Sequence, residues 1–168
     1  ITTISEKQIE DRAPLSVMDA VAYVPGIGIS SGEGNRDALV FRGQRNTGDF
    51  YVDGVRDDVQ YYRDFYNVEK IEVIKGPNAL IFGRAGSGGI FNRVRKEANF
   101  NPNQKHEIKF SGGSYDHKRM TLDTGYVLND KVSFRLNGLY EHSRSHRKGQ
   151  ELQRYGISPT VTIKPTAK

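Results

Sequence analysis

The stretch IEVIKGPNALIFGRAGSGGIFN, residues 71–92, places a run of glycines after a strand-like segment, as many phosphate-binding sites do. A P-loop has the pattern G-x-x-x-x-G-K-[ST], in which the lysine reaches the phosphates and the hydroxyl binds Mg²⁺. Gly83 and Gly88 have the spacing of its two glycines, but Gly89 and Ile90 stand where the lysine and the hydroxyl are required. Moreover, a strand-like segment follows, whereas anions bind at the N-terminus of a helix. The stretch is therefore not predicted to bind a nucleotide.

The serine, histidine and acidic residues form no catalytic pattern. Ser87 lacks the first glycine of the G-x-S-x-G motif of serine hydrolases. His142 and His146 are four residues apart but lie in a polar connection with no acidic pattern nearby, so we expect them to be solvated. Asp57 and Asp58 are interpreted as turn formers, with ligand or cation contacts as the alternative. Because the chain also has no cysteine, which excludes thiolate chemistry, neither a catalytic residue nor a metal ligand is predicted.

Composition limits the class of protein. The chain has 168 residues, of which 27% are charged, with a mean hydropathy of −0.64. This length fits one domain, or one domain and part of another, and no segment approaches the roughly 20 apolar residues of a transmembrane helix. The formal net charge is +5, but basic residues alternate with acidic ones through most of the chain. No nucleic-acid partner is predicted, because such binding needs basic residues clustered on one face.

Residues 1–99 have the pattern of a mixed α/β domain. A short helix is predicted in TTISEKQIEDR, with Ser5 as its N-cap. A second is predicted in PLSVMDAVAYVPGI, because Leu15, Met18, Val21 and Ala22 recur at helical spacing. Asp53-Gly54 predicts a tight turn, and VQYYRDFYN is interpreted as a helical turn or an ordered loop. Short strands are predicted at residues 28–30, 38–42, 50–53, 68–75 and 89–95, with a short helical turn at 78–82.

Residues 105–164 have a different pattern, in which apolar and polar residues alternate through four segments. The segments are about as long as a tilted membrane-spanning strand, which needs roughly 9–11 residues. Two interpretations remain open at this point: part of an outer-membrane β-barrel, or a soluble antiparallel meander with one solvated face. Four strands cannot close a membrane barrel, since the smallest barrels have about eight. The barrel interpretation therefore makes the chain a fragment of a longer protein.

The order of five motifs is more specific than any one of them. SVMDAVAYVPGIGI, LVFRG, YVDGV, VEKIEVIKGPNALIFG and GSGGIFNRVRK follow one another between residues 15 and 96. This series resembles the plug domain of TonB-dependent outer-membrane receptors, most closely the ferric-siderophore branch. The departures are mild: Lys75 stands where the family usually has arginine, and Phe82 where it usually has tyrosine.

The resemblance implies a fold and a function. It implies an α+β plug domain at residues 1–99, with a mixed four-stranded sheet and short helices. Residues 105–168 would be the first antiparallel strands of a 22-stranded transmembrane β-barrel. The protein would be a receptor of the Gram-negative outer membrane and not an enzyme. Its partners would be a ferric siderophore, TonB with its ExbB/ExbD motor, and outer-membrane lipid. No cofactor is expected, since the siderophore carries the iron.

The resemblance also implies which residues act. Three segments match the loops with which family plugs contact the ligand, and they combine hydrogen-bonding groups, cations for an anionic complex and aromatic rings for a bulky chelate. The ligand-binding candidates are Ser31, Glu33, Arg36, Gln44, Arg45, Asn46, Thr47, Gly48, Tyr61, Tyr62 and Arg63. The candidates for ionic contacts between plug and barrel are Arg42, Lys75, Glu69 and Glu72. A receptor for cobalamin, haem or a glycan, and a soluble ligand-binding α/β domain, remain as alternative functions.

Overall fold

The chain forms two units in a computed structural model that describes residues 1–31, 37–46, 49–57, 59, 61–76, 88–146 and 149–165. The first unit is Ile1–Arg95 and the second is Lys96–Lys168. The first contains α1 (Glu6–Arg12), α2 (Val17–Val21), β1 (Thr2–Ser5), β2 (Ile27–Ser31), β3 (Asp37–Phe41), β4 (Gln44–Asn46), β5 (Phe50–Val52), β6 (Val55–Arg56), β7 (Val68–Lys75) and β8 (Gly89–Arg95). The second contains β9 (His106–Gly113), β10 (His117–Asn129), β11 (Val132–Arg144) and β12 (Glu151–Ile163).

A mixed sheet with the strand order β1-β7-β8-β5-β6 organises the first unit. β5 pairs with β8 in parallel, and the other pairs are antiparallel. The strands predicted at 68–75 and 89–95 are confirmed, and so is the mixed sheet. The sheet has five strands and not four, because Thr2–Ser5 pairs with β7 in the register Thr2↔Val73 to Ser5↔Lys70. The expected tight turn joins β5 to β6, with Asp53 and Gly54 both at positive φ.

A second sheet of three antiparallel strands has the order β2-β3-β4. The strands predicted at 28–30 and 38–42 lie within this sheet to about one residue. Arg42 and Gly43, at φ values of 50° and 84°, form the turn between β3 and β4. Arg42 is therefore an exposed turn residue rather than the last residue of a strand.

Both helices of the first unit begin with a capping box, in which the N-cap serine and the third helical residue satisfy each other's backbone groups. Ser5 caps α1 through Gln8, which confirms its predicted role, and Ser16 caps α2 through Asp19. The apolar residues at helical spacing in the second helix do not all face the core. Because the cap at Ser16 starts the helix at Val17, the core receives residues 17, 20 and 21, while Leu15 and Met18 are exposed.

Gly88 and Gly89 lie against Phe41, which belongs to the main apolar core. A Cβ on Gly88 would lie 2.6 Å from the Cβ of Phe41. A Cβ on Gly89 would lie 2.7 Å from the carbonyl oxygen of Ile74 and 2.9 Å from the Phe41 ring. These glycines are thus required for close approach of β8 to the core. The helical turn predicted at 78–82 lies outside the described residues.

The second unit is one antiparallel sheet with the order β12-β11-β10-β9. The sheet confirms the four strands that the alternating pattern predicts. Side chains that are neighbours across strands are alike in polarity. The side chains of Phe110, Met120, Tyr140 and Tyr155 lie side by side and are exposed. On the opposite face, polar groups are buried: Asp123, Ser133, Arg135, Asn137 and Glu141. The sheet therefore inverts the usual arrangement, in which the apolar face of a half-exposed sheet is the buried one.

Within the part of the chain that the structure describes, no helix has the length and apolar character needed to cross a membrane.

Candidate ligand-recognition site

The three segments predicted to contact a ligand are described to different extents. Ser31 ends β2, while Glu33 and Arg36 lie outside the described residues. Residues 44–46 form β4, in which Arg45 is exposed, and Thr47 and Gly48 again lie outside the described residues. The third segment follows β6, and its side chains can be described in detail. We call residues 57, 59 and 61–63 the aromatic loop.

Arg63 holds the aromatic loop from inside. Its guanidinium donates hydrogen bonds to the carbonyl oxygens of Asp57 at 3.0 Å, Val59 at 2.7 Å and Tyr61 at 3.3 Å. The side chain is 1% exposed, so these carbonyl groups have a buried partner in place of water. Arg63 was predicted to meet the ligand directly, but the structure places it in the interior of the first unit. The reason is local, since an irregular segment lacks ladder partners for its carbonyl groups and a five-donor guanidinium supplies them.

Two aromatic rings enclose the same guanidinium. Its central carbon lies 3.8 Å from the ring centroid of Phe50 in β5 and 4.5 Å from that of Tyr61. Both distances are within the range of a cation–π contact, which is stronger when the cation is desolvated. Arg63 therefore links the core, through Phe50, to the exposed part of the loop, through Tyr61.

Tyr61 presents part of its ring to solvent while its hydroxyl group is bonded within the first unit. The side chain is 40% exposed. Its hydroxyl donates to the Asp57 carboxylate at 2.7 Å and accepts from Nη2 of Arg93 at 2.5 Å. The same Arg93 nitrogen pairs with the Asp57 carboxylate at 2.7 Å. Tyr61 thus offers a ligand its ring, while the hydroxyl is already used.

Sequence reasoning missed the role of Arg93 and gave Asp57 only as an alternative cation contact. Arg93 lies in β8, 36 residues from Asp57 in the chain, so no local spacing could have paired them. The sequence offers only one signal for this pair. It is an arginine within a predicted strand together with an acidic residue in a predicted turn.

A pocket of about 510 Å³ lies beside this cluster. Tyr61, Asp57 and Arg93 form one part of its lining, and Arg56 and Arg95 extend it along the β5–β6 hairpin. Arg95 is also paired with Asp53 at 2.5 Å. The pocket therefore combines one aromatic ring with arginines, of which Arg93 and Arg95 are paired with the carboxylates of Asp57 and Asp53.

Comparison with known proteins decides the family. Residues 1–90 match the model of the TonB-dependent Receptor Plug Domain. The chain belongs to this family. Its plug domain is the unit that contains the aromatic loop, and the resemblance inferred from the five motifs is confirmed.

Several relatives that match the plug domain and the following sheet are named as siderophore receptors. The chain is 36% identical over 173 residues to the catecholate siderophore receptor Fiu of Escherichia coli K12, covering 97% of this chain and 22% of that protein. It superposes on the open form of Fiu with a TM-score of 0.84 and 34% identity, covering 95% of this chain and 24% of that one. The siderophore receptor PiuA of Acinetobacter baumannii gives a TM-score of 0.85 with 31% identity, covering 96% and 24%.

The chain thus spans about a fifth of the length of the curated relatives that it matches. The ferrichrome outer membrane transporter and phage receptor of Escherichia coli K12 is also similar, at 30% identity over 179 residues. Fiu and the ferrichrome transporter are named for different ligands. The fold that Fiu and PiuA share with this chain is the plug domain followed by antiparallel strands.

Two of the residues predicted to pair plug and barrel, Lys75 and Glu72, already have partners inside the plug domain. Nζ of Lys75 donates to the carbonyl oxygen of Pro25 at 2.8 Å. Glu72 pairs with Lys70 at 2.7 Å and accepts from Nδ2 of Asn92 at 3.0 Å. The hydrogen bond from Lys70 is the main cause that lowers the pKa of the Glu72 carboxyl below its ordinary value. Glu69 is exposed, and its pairing with a barrel stays a prediction.

The buried polar face of the second unit is organised by two carboxylates. Asp123 receives Lys96 at 2.8 Å and two nitrogens of Arg135 at 2.8 and 2.9 Å. Glu141 receives Arg119 at 2.5 Å and Arg154 at 2.6 Å. Lys96 begins a segment that crosses this face, where Ser133 donates to the carbonyl oxygen of Asn99. The two carboxylates thus tie three strands and the preceding segment together.

Metal-binding groups of three or more histidine, cysteine, aspartate or glutamate side chains do not occur among the residues that the structure describes.

Proposed function

We propose that the chain is the plug domain and first barrel strands of an outer-membrane receptor that imports a ferric siderophore. In this proposal the plug closes the barrel, and TonB, energised by the proton motive force through ExbB/ExbD, rearranges the plug so that the ligand passes. The receptor lies in the outer membrane of a Gram-negative bacterium. It is a transporter and not an enzyme, in line with the transport receptors among its relatives.

The observation that carries the proposal is the sequence of units along the chain. A plug-family domain is followed directly by long strands whose exposed face is apolar and whose other face buries charge. In water the apolar face would be unfavourable, whereas an outer-membrane barrel places such a face against lipid and polar groups in its lumen. Residues 129–131 would form a short periplasmic turn, and residues 145–150 part of an extracellular loop.

The ligand class is proposed from the relatives and from the aromatic loop. Fiu is named for catecholate siderophores, and a bulky chelate needs a broad contact surface of the kind that tyrosine rings provide. Tyr61, Tyr62 and Arg45 remain the candidate contacts that the structure describes. Ser31, Glu33, Arg36, Gln44, Asn46, Thr47 and Gly48 remain proposals from the resemblance alone.

Iron uptake by cells tests the proposal. A strain in which the gene is deleted would be supplied with radioactive iron as an iron(III)–2,3-dihydroxybenzoate complex, ferrichrome or ferrioxamine B, in turn. We expect uptake of at least one complex to fall on deletion, to return with the cloned gene, and to stop when an uncoupler removes the proton motive force. Unchanged uptake of all three, together with loss of cobalamin or haem uptake, would instead indicate a receptor for another large solute.

A further inference from the structure

Arg63 has the chemistry of a ligand-binding cation but the location of a structural one. Its side chain is 1% exposed, and an anionic chelate cannot reach it unless the aromatic loop opens. The Asp57 carboxylate, 3.4 Å from Nε of Arg63, further offsets its charge. Direct attraction of a ligand by Arg63 is therefore not supported by its surroundings.

The bonds of Arg63 instead define the conformation of the loop. The three carbonyl groups that it binds belong to residues 57, 59 and 61, which are spaced along the whole loop. One planar guanidinium can satisfy several acceptors in fixed directions while its faces stack on rings, and a lysine ammonium cannot do both. The contacts with Phe50 and Tyr61 use those faces. The loop conformation thus depends on arginine and not on positive charge alone.

The ring of Tyr61 is the exposed group that this arrangement fixes. Arg63 stacks on the ring, and Asp57 and Arg93 hold its hydroxyl. Arg93 is itself part of β8, so the ring is anchored both to the loop and to the sheet. A ring held at both ends loses little freedom when a ligand covers it, which favours binding.

We propose that Arg63 is a positioning residue for ligand recognition. It orients Tyr61 by binding the carbonyl groups of the aromatic loop, and it does not touch the ligand. The Asp57–Arg93 pair serves the same end by holding the Tyr61 hydroxyl. The proposal rests on the function proposed above and adds which residue determines the shape of the binding surface.

A double-mutant cycle tests the proposal. The complete protein, purified in detergent, would be titrated by equilibrium dialysis with the tightest-binding complex among radioactive iron(III)–2,3-dihydroxybenzoate, ferrichrome and ferrioxamine B. We expect Arg63→Lys and Tyr61→Ala each to raise Kd about tenfold, the effect of losing one aromatic ring contact with the ligand. The double variant should also be about tenfold weaker and not about a hundredfold, because both changes remove one ring contact.

A matched pair in the same domain provides the control. Arg12 lies 4.9 Å from the ring centroid of Tyr23, so it repeats the arginine–tyrosine stack on an exposed surface outside the aromatic loop. Arg12→Lys and Tyr23→Ala should leave Kd unchanged. The ratio of Kd between Arg63→Lys and the unaltered protein should also stay constant when the salt concentration is raised, since screening weakens charge attraction but not loop geometry.

The outcomes separate this inference from the proposed function. Additive effects in the cycle, or Arg63→Lys binding as tightly as the unaltered protein, would overturn the positioning role while the receptor function stands. If the unaltered protein binds none of the three complexes, the proposed function itself fails. If the Arg63→Lys variant does not fold in the membrane, the variants Tyr61→Phe and Asp57→Asn are titrated in its place. Both should raise Kd about threefold or more, and unchanged Kd in both would overturn the proposal.

Discussion

Replacing Asp123 with asparagine should strongly destabilise the second unit. Asp123 is 5% exposed and binds two cations whose side chains are each 9% exposed, Lys96 and Arg135. The substitution keeps the shape of the side chain but removes its negative charge. Two positive groups would then face each other on a buried surface with no carboxylate between them.

The expected cost follows from this geometry. Removing one side of a buried, hydrogen-bonded ion pair costs about 3–5 kcal/mol, because the remaining charge is left without compensation. Asp123 makes three short contacts, at 2.8, 2.8 and 2.9 Å, and asparagine can accept from only one side. We therefore expect the upper part of this range. The additional substitution Lys96→Met removes one of the two cations and should recover part of the loss.

Equilibrium unfolding of the complete protein in guanidinium measures this cost, provided that the slope with denaturant is unchanged. Asp116→Asn is the matched control, since its carboxylate binds an exposed cation, Lys118, at 2.6 Å, and such pairs are weakened by solvent and salt. The control should unfold at the same denaturant concentration as the unaltered protein. If Asp123→Asn did so too, or if Lys96→Met made the double variant less stable still, the inferred role of the buried carboxylate would be wrong.

Three further changes test other parts of the structure. Gly89→Ala should destabilise the plug domain by about 1–3 kcal/mol through overpacking against Phe41. The control Gly112→Ala should not be destabilised, because its new Cβ would lie 3.8 Å from the nearest atom. If both variants unfolded at the same denaturant concentration, the close approach at Gly89 would be excluded. The lowered pKa of Glu72 means that its ionised form stabilises the fold above the ordinary glutamate pKa of about 4.3, and that this contribution is lost as the pH falls through the lowered value. Glu72→Gln should flatten the fall in stability with acidification, and an unaltered pH profile would argue against the Lys70 pair. Tyr62→Ala should weaken ferric-complex binding less than Tyr61→Ala, because Tyr62 is the less exposed of the two, and the reverse order in titrations would contradict the assignment.

Local sequence patterns made most of the longer strands predictable from the sequence. The pattern of residues 68–75 and 89–95 specifies buried strands, and the period of two in residues 105–164 specifies a sheet with two different faces. These signals are local, so they can be interpreted without knowing which distant residues the strands contact in the fold. The capping box at Ser5 is local in the same sense.

Features that depend on distant partners could not be predicted in this way. Thr2–Ser5 is a strand because β7 offers it an edge, and nothing within four residues reveals that pairing. The sequence around Arg63 does not distinguish it from an exposed cation. Its burial depends on Phe50 and on the path of the loop. The pairing of Asp57 with Arg93 likewise exists only once β8 lies beside the aromatic loop.

Direct binding of a ferric siderophore by the purified complete protein tests the central claim most directly. Equilibrium dialysis with the three radioactive iron complexes should show saturable binding of at least one, at one complex per protein, weakened by Tyr61→Ala and unaffected by Tyr23→Ala. Absence of saturable binding of all three, with saturable binding of cobalamin or haem in the same apparatus, would contradict it.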